Sequence, residues 1–345
     1  MAAQPDLTSP EELACALGLA PGAVRSVRIE SAAGTRQWSL TFLHLTYADP
    51  AAADLPERLV LKRAVPAADG APPPPAHEAD FYARAAPTLP SPPVPRCVGV
   101  AQPSADGAGY ILVEDLRATH RSVPGTFPPD ADGAAAAVDA LARIHAARWE
   151  AADAAAWPGG LHTEASLREM VAGIAAHLPA FLDAAGSGLS AGDRALYERV
   201  FSSPLRPWLR LVDGHALTLA HGDAHAGNFL FPRDPAGDVY LIDWELWHAD
   251  VGARDLAFMM ALYWTPERRA GLERPLVRRY LERLEAVGVT GYGWDELWAD
   301  YRRCAVRNLT VPILFWRRGM PEEMWRERLA CAVAACRDLD ADELL

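Results

Sequence analysis

The sequence predicts an α+β protein with a small, mostly antiparallel β part followed by a larger helical part. In the first third of the 345 residues, short runs alternate between polar and apolar side chains, which is the pattern of strands. Later in the chain, apolar residues recur at the spacing of core and surface helices. The length also suits two lobes. We therefore predict one lobe over residues 1–115 and a second over 116–345.

The composition excludes several classes of protein. The net charge of −12 argues against nucleic acid or an anionic membrane as a partner, because either would require a basic face. The five cysteines are odd in number and include no C-x-x-C pair, which is typical of reduced thiols in the cytoplasm. We find neither a secretion signal nor a run of 18 apolar residues. We expect a soluble cytoplasmic protein, and no obligate protein partner is evident.

The elements of the first part follow in order. A short helix is predicted over residues 7–20, with Gly18 at its end. Two alternating strands follow, at 24–30 and 38–47. The remaining elements are a strand at 58–63, an Ala- and Pro-rich linker at 66–75, a helix at 76–86, and strands at 97–101 and 110–113.

One residue type is almost missing from the chain. Of the 33 basic residues, 32 are Arg and only Lys62 is Lys. Arg can replace Lys wherever charge alone matters, so the remaining Lys is a candidate for chemistry that needs a compact ammonium group. The scarcity also excludes a phosphate-binding loop of the G-x-x-x-x-G-K-[ST] type. Lys62 lies on the predicted strand 58–63, and Glu78 lies near the start of the next helix, which allows an ion pair between them.

The second part is predicted to be mainly helical, with a hairpin near its middle. A long Ala-rich helix spans 131–147, and its His145 is expected to be buried and structural. The other elements are helices within 150–212, strands at 217–220, 229–231 and 239–242 with a turn at 232–238, a helix at 255–264, and surface helices over 266–345.

Polar side chains follow the strands of this hairpin. Asp223 follows the first strand, Asn228 precedes the second, and Asp243 follows the third, so the hairpin would bring them to one rim. Oxygen ligands of this kind suit a hard cation such as Mg²⁺, with one carboxylate left as a base. Zinc is not favoured, because His221 and His225 have no third nitrogen or sulfur ligand nearby.

The two segments that carry these residues resemble a known signature. His221-Gly-Asp-Ala-His-Ala-Gly-Asn228 and Ile242-Asp-Trp-Glu245 are similar to the motifs of the aminoglycoside phosphotransferase and choline kinase superfamily, closest to its ecdysteroid-kinase-like branch. The resemblance extends over residues from about 30 to 265. It implies a bilobal, protein-kinase-like fold that uses ATP or GTP together with Mg²⁺.

The resemblance also implies roles for the polar residues. Asp223 would accept or orient the proton of the acceptor hydroxyl, and Asn228 and Asp243 would hold Mg²⁺. Lys62, braced by Glu78, would contact the α- and β-phosphates. These are the residues expected to carry the reaction.

Both histidines of the first motif belong to the predicted catalytic loop. His221 stands in the place of the His in the kinase H-R-D motif and is expected to support the loop through hydrogen bonds. His225 either orients Asp223 or faces the acceptor, and the sequence leaves these two roles open. The resemblance assigns Asp255, further along the chain, to bracing this loop.

Further nucleotide contacts are expected in the first lobe. The connector 31–36, with Gly34 and Thr35, stands where kinases carry a loop over the phosphates, although it is not a G-x-G-x-x-G fingerprint. Glu114-Asp-Leu116 resembles the family's hinge, where the main chain around Glu114 and Leu116 would bind adenine.

The expected activity is transfer of the γ-phosphoryl group to a hydroxyl of a small molecule, with antibiotics or related natural products as the leading acceptors. The alternatives are a catalytically silent nucleotide-binding protein and a metabolic kinase of choline or amino alcohols. A metal-dependent hydrolase is less favoured, because it would not explain Lys62 and Glu78. A protein kinase is disfavoured, because no A-P-E segment follows Asp243 and Trp244-Glu245 replaces Phe-Gly. The sequence does not identify the acceptor or decide between ATP and GTP.

Overall fold

The computed structural model describes residues 6–34, 38–48, 54–64, 77–103, 109–123, 125–202 and 205–345. Thr35 and the predicted linker at 66–75 lie outside these ranges. In chain order the strands are β1 (Val24–Gly34), β2 (Trp38–Tyr47), β3 (Arg58–Ala64), β4 (Cys97–Ala101), β5 (Tyr110–Glu114), β6 (His120–Arg121), β7 (Leu217–Ala220), β8 (Phe229–Pro232), β9 (Tyr240–Leu241) and β10 (His248–Val251). The α-helices are α1 (Pro10–Ala16), α2 (His77–Asp80), α3 (Ala131–Ala147), α4 (Glu164–Ala175), α5 (Leu178–Ala185), α6 (Ala191–Ser202), α7 (Arg210–Asp213), α8 (Ala253–Ala257), α9 (Pro266–Arg269), α10 (Glu273–Ala286), α11 (Trp294–Arg307), α12 (Thr310–Arg317) and α13 (Glu322–Asp338).

The chain forms two compact units. The first contains Met1–Arg121 and Pro232–Leu246, and the second contains Ser122–Phe231 and Trp247–Leu345. The sequence placed a single boundary after residue 115, whereas the structure groups a later segment with the first unit. That segment is held in part by the hydrogen bond from the Leu241 N–H to the Pro93 carbonyl, at 2.7 Å.

The first unit is built on a five-stranded antiparallel sheet with the strand order β1-β2-β3-β5-β4. Its alternating sequence places leucines on one face, where Leu43, Leu59 and Leu112 are fully buried with Leu13 of α1. β3 is the central strand, and Lys62 pairs with β2 on one side and β5 on the other. Because side chains alternate along a strand, Lys62 lies on the face opposite the buried Leu61. The mostly antiparallel β part is therefore confirmed.

Helix limits in the first unit differ from the prediction. α1 is shorter than predicted because the chain turns after it, with Gly18 in the left-handed region at a φ of 68°. The helix predicted over 76–86 consists of α2 followed by a π-helical turn at Phe81–Ala85 and a 3₁₀ turn at Ala86–Thr88. A π turn widens the helix by one residue per turn and is not visible in apolar periodicity.

The second unit is mainly helical, as predicted. α3 packs against α10, and α8 packs against α11. A two-stranded antiparallel ladder of β7 and β10 runs beside them. The helix predicted over 255–264 is α8 followed by a π-helical turn at Phe258–Leu262.

A buried ion pair ties β10 to α11. Nη1 of Arg307 donates to Oδ1 of Asp250 at 2.9 Å, and the Asp250 side chain is fully buried. Burial alone would raise the pKa of Asp250, but the Arg307 guanidinium outweighs it and holds that pKa far below its usual range.

Within the described residues, one helical stretch is long and apolar enough to cross a membrane by length and composition alone. This stretch, Glu164–Gly188, has a mean hydropathy of 1.2 and is made of α4, α5 and a short 3₁₀ turn. Core helices of globular proteins meet the same criterion, so the finding is only weak evidence for a membrane-spanning segment. The absence of a membrane partner stays a prediction.

Candidate active site

In the first unit, Lys62 is bonded to two carboxylates. Its Nζ contacts Oε2 of Glu78 and lies 3.0 Å from Oδ1 of Asp243. Glu78 is buried, and the Lys62 side chain is only 13% exposed. Burial alone would lower the pKa of Lys62, but the two carboxylates outweigh burial and raise it, so the ammonium stays charged. The predicted Lys62–Glu78 pair is present.

The backbone of Asp243 is in an unusual conformation. Its φ is 67°, in the left-handed region that side chains other than glycine seldom adopt, at a cost of about 1 kcal/mol or more. Its side chain is 46% exposed and faces Lys62. A strained residue with a half-exposed carboxylate is typical of a functional position.

The predicted catalytic loop lies in the second unit and is held by a buried carboxylate. Asp255 accepts the N–H of His221 at 2.6 Å and the N–H of Gly222 at 2.9 Å. It also contacts Nε2 of His145 at 3.1 Å, and its side chain is fully buried. Burial alone would raise the pKa of Asp255, but these hydrogen bonds outweigh burial and lower it. The brace implied for Asp255 is confirmed.

His145 is buried and structural, as predicted. Its Nδ1 lies 2.8 Å from the hydroxyl of Tyr280 on α10, while its other ring nitrogen faces Asp255. Gly252 allows this packing, because a Cβ there would lie 1.9 Å from the Tyr280 oxygen and 2.7 Å from the His145 Nδ1. Through these contacts α3, α8 and α10, which carry His145, Asp255 and Tyr280, are held together beside the loop.

Asp223 and Asn228 lie side by side in the loop. The Asn228 amide nitrogen donates to the Asp223 carbonyl at 2.9 Å and to the Asp223 Oδ2 at 3.1 Å. A 3₁₀ turn at Ala226–Asn228 makes this approach possible. Because its amide nitrogen is bonded to Asp223, Asn228 has its side-chain carbonyl oxygen as the atom that would ligate a cation.

Both loop histidines contact Asp223 or its main chain. Nδ1 of the buried His221 accepts the Asp223 N–H at 3.2 Å, which supports the loop as predicted. Nδ1 of His225 accepts the Gly227 N–H at 3.1 Å, so the neutral ring carries its proton on Nε2. That Nε2 lies 3.7 Å from Oδ2 of Asp223. Of the two roles left open for His225, this geometry favours orienting Asp223.

The sequence did not point to Tyr263 and Arg328, which pack behind His225. The ring of Tyr263 stacks on His225 with 5.0 Å between ring centres. The guanidinium carbon of Arg328 lies 4.1 Å from the centre of the Tyr263 ring. Burial and then the charge of Asp223 raise the pKa of Tyr263, so its hydroxyl stays neutral. No local signal joins these residues, because the contact is made between distant helical segments.

Two main-chain N–H groups of the predicted hinge already have hydrogen-bond partners in or beside the sheet. The Glu114 N–H donates to the Arg96 carbonyl, and the Asp115 N–H donates to the Arg58 carbonyl. Leu116 is buried at the start of a 3₁₀ turn. Main-chain binding of adenine would therefore use the Glu114 carbonyl or the Leu116 N–H, and this role stays a prediction.

The phosphate contact predicted for Gly34 also stays a prediction. Gly34 ends β1, and a Cβ there would meet the Trp38 carbonyl at 3.5 Å, an ordinary contact. Among the residues that the structure describes, nothing around this position requires glycine. Thr35, the other residue of the predicted phosphate contact, lies outside the described residues.

The residues predicted to hold Mg²⁺ have suitable donor atoms. Within the described part of the chain, no group of three or more His, Cys, Asp or Glu side chains could hold a metal ion. The Asn228 carbonyl and the Asp243 carboxylate lie in different units, and each offers an oxygen of the kind that Mg²⁺ accepts. Mg²⁺ usually keeps several waters and binds one or two carboxylates together with substrate phosphates, and the shared role of these two residues stays a prediction.

Comparison with known proteins identifies the family of the chain. The sequence matches the phosphotransferase enzyme family, APH, over residues 40–298. The chain belongs to that family. No curated protein sequence matches the chain.

Solved structures share the fold at low sequence identity. An aminoglycoside phosphotransferase described as putative, from Ralstonia eutropha JMP134, is 13% identical with a TM-score of 0.57, and the match covers 92% of this chain and 93% of that one. A choline kinase from Cryptosporidium parvum Iowa II is 9% identical with a TM-score of 0.57, covering 92% and 91%. A spectinomycin phosphotransferase solved with ADP and spectinomycin is 12% identical with a TM-score of 0.52, covering 92% and 94%. These similarities show a protein-kinase-like fold for this phosphotransferase-family chain.

Proposed function

We propose that the protein transfers the γ-phosphoryl group of ATP or GTP to a hydroxyl group of a small molecule. The observation that carries this proposal is the bonding of Lys62, the single lysine of the chain, to both Glu78 and Asp243. A buried strand lysine paired with a helix glutamate is the arrangement by which kinases present a cation to nucleotide phosphates. Membership of the phosphotransferase family supports it.

On the donor side, Lys62 would contact the α- and β-phosphates. Asn228 and Asp243 would hold Mg²⁺, which supplies neutralisation of the phosphate charge when it is bound. The main chain at Glu114 and Leu116 would receive adenine.

On the acceptor side, Asp223 would receive or orient the hydroxyl proton. An alcohol is a very weak acid, so alignment and charge neutralisation contribute more than the basicity of the carboxylate. His225 would orient Asp223 by electrostatic attraction, since its Nε2–H lies 3.7 Å from Oδ2, beyond hydrogen-bond distance. His221 would keep the loop in place from behind.

We propose an antibiotic or related natural product as the acceptor and the cytoplasm as the place of reaction. The fold shared with a spectinomycin phosphotransferase supports this class. The fold shared with a choline kinase favours an amino alcohol as the second candidate. A silent nucleotide-binding protein is less favoured, because Lys62, Glu78, Asp223, Asn228 and Asp243 are all present.

The test is acceptor-dependent release of nucleoside diphosphate, with nucleotide binding measured in parallel by calorimetry. Lys62→Met should weaken nucleotide binding by at least tenfold, because a buried charged contact to phosphate is worth about 1.5 kcal/mol or more. Arg28→Met, at a side chain 65% exposed in the same unit, is the matched control and should bind like the wild type. Nucleotide binding without turnover on any acceptor would favour the silent protein. Unchanged binding by Lys62→Met would remove Lys62 from the site.

A further inference from the structure

Three consecutive residues, Asp243, Trp244 and Glu245, each act on the helical segment that carries Glu78. We call these three residues the Asp-Trp-Glu turn. The turn and the helical segment both belong to the first unit. Each contact is made by a different kind of interaction and reaches a different part of the segment.

Asp243 acts on the side chain of Glu78 through Lys62. The Lys62 ammonium bonds to both carboxylates, so movement of either one would break a charge-assisted hydrogen bond. This contact alone fixes only the end of a flexible side chain.

Trp244 acts on the next turn of the segment. Its ring lies parallel to that of Phe81, with an interplanar angle of 1° and 3.9 Å between ring centres. Both rings are fully buried. The indole Nε1 donates to the Leu241 carbonyl at 3.3 Å, which fixes the orientation of the ring. The stack therefore limits the distance between the turn and the segment, but a flat contact between rings still permits sliding.

Glu245 acts on the main chain of the segment. Its Oε2 accepts the N–H of Glu78 at 3.3 Å. Glu78 is in the first turn of α2, where N–H groups have no partner within the helix and an acidic group is favourable. A main-chain bond of this kind opposes sliding along the helix axis, which the other two contacts leave open.

We propose that Glu245 is a positioning residue that locks the Glu78 helix to Asp243, so that Lys62 is held for the phosphates before a nucleotide binds. The proposal rests on the proposed function, since it concerns the same phosphate contact. Protein kinases have glycine at the third position of the corresponding Asp-Phe-Gly, and glycine has no side chain that could make this bond. A helix that is held in this way keeps Glu78 next to Lys62 at all times, instead of moving between two positions.

The test compares three substitutions of Glu245. Glu245→Gln keeps an oxygen that can accept the Glu78 N–H, whereas Glu245→Met removes the acceptor. Glu245→Asp shortens the side chain by one methylene and so moves the acceptor away from the Glu78 N–H. Leu246→Ala is the control, because Leu246 lies in the same 3₁₀ turn and is 50% exposed. Two measurements are made on each full-length variant: amide hydrogen exchange of residues 77–85 by mass spectrometry, and nucleotide affinity by calorimetry.

The expected result separates the variants into two groups. Glu245→Met and Glu245→Asp should exchange faster over 77–85 and bind nucleotide about tenfold more weakly, as expected for loss of a hydrogen bond to a charged group. Glu245→Gln and the control Leu246→Ala should stay within about twofold of the wild type. Unchanged exchange in both Glu245→Met and Glu245→Asp, or an equal loss in Glu245→Gln, would overturn the proposal. Failure of the wild type to bind nucleotide would refute the proposed function, while the exchange result would still decide the role of Glu245.

Discussion

The brace beneath the catalytic loop provides a test of the structure that does not require the substrate. Asp255→Asn preserves the shape of the side chain but replaces one carboxylate oxygen with an amide group. In the wild type, the two oxygens accept the main-chain N–H groups of His221 and Gly222. The amide nitrogen cannot accept, so one of these buried N–H groups loses its partner.

The magnitude follows from the number of bonds changed. Leaving one buried N–H unpaired costs about 1–3 kcal/mol, and the remaining bond loses its charge assistance, which costs about 1 kcal/mol more. We therefore expect the free energy of unfolding to fall by about 2–4 kcal/mol. Asp139→Asn on α3 is the matched control, because this carboxylate is 27% exposed and pairs with surface arginines. It should change stability by less than about 1 kcal/mol.

The assay is urea unfolding at several pH values, followed by fluorescence of buried tryptophans in the second unit such as Trp247 and Trp264. Because the pKa of Asp255 is lowered in the folded protein, its stabilisation is fully present above the pKa of the unfolded carboxyl, about 4. It is lost as the pH falls through the folded pKa. The difference between wild type and Asp255→Asn should thus be constant above about pH 5 and shrink below about pH 4. A variant within about 0.5 kcal/mol of the wild type at pH 7 would refute the brace.

Three further outcomes are expected. Gly252→Ala should lower the free energy of unfolding by about 3 kcal/mol or more in urea titrations, because its Cβ would lie 1.9 Å from the Tyr280 oxygen. Gly227→Ala should leave the melting temperature nearly unchanged but reduce kcat by about tenfold, since its Cβ would lie 2.9 Å from Cε1 of His225 and displace that ring. A Gly227→Ala enzyme with wild-type kcat would show that the ring position is unimportant. Arg307→Met should destabilise the fold by about 3–5 kcal/mol, measured in the same titrations, because it removes the guanidinium that neutralises a fully buried carboxylate.

Local patterns in the sequence were sufficient to predict the sheet and to single out the polar residues of the loop 221–228. β2 coincides with the predicted alternating run at 38–47, and its buried residues Leu43 and Leu45 lie two positions apart on one face. Lys62 stood out because it is the single lysine of the chain. Asn228 and Asp223 stood out because their spacing of five is set by one short turn.

Contacts between distant segments could not be predicted in this way. Glu245 and Glu78 are 167 positions apart, and nothing in either local sequence indicates that one binds the main chain of the other. The stacking of Tyr263 on His225 likewise depends on where a π-helical turn places the ring. The left-handed φ of Asp243 contradicts the ordinary preference of its residue type, as is common where function sets the backbone.

The measurement that tests the central claim most directly is mass spectrometry of acceptors incubated with the protein, Mg²⁺ and ATP or GTP. Antibiotics with free hydroxyl groups come first, followed by amino alcohols and sterols, and Asp223→Asn serves as the matched blank. The account predicts a product heavier by one phosphoryl group with the wild type, and none with Asp223→Asn even though that variant still binds nucleotide. An equal yield of that product from both proteins would contradict the role of Asp223 and with it the proposed site.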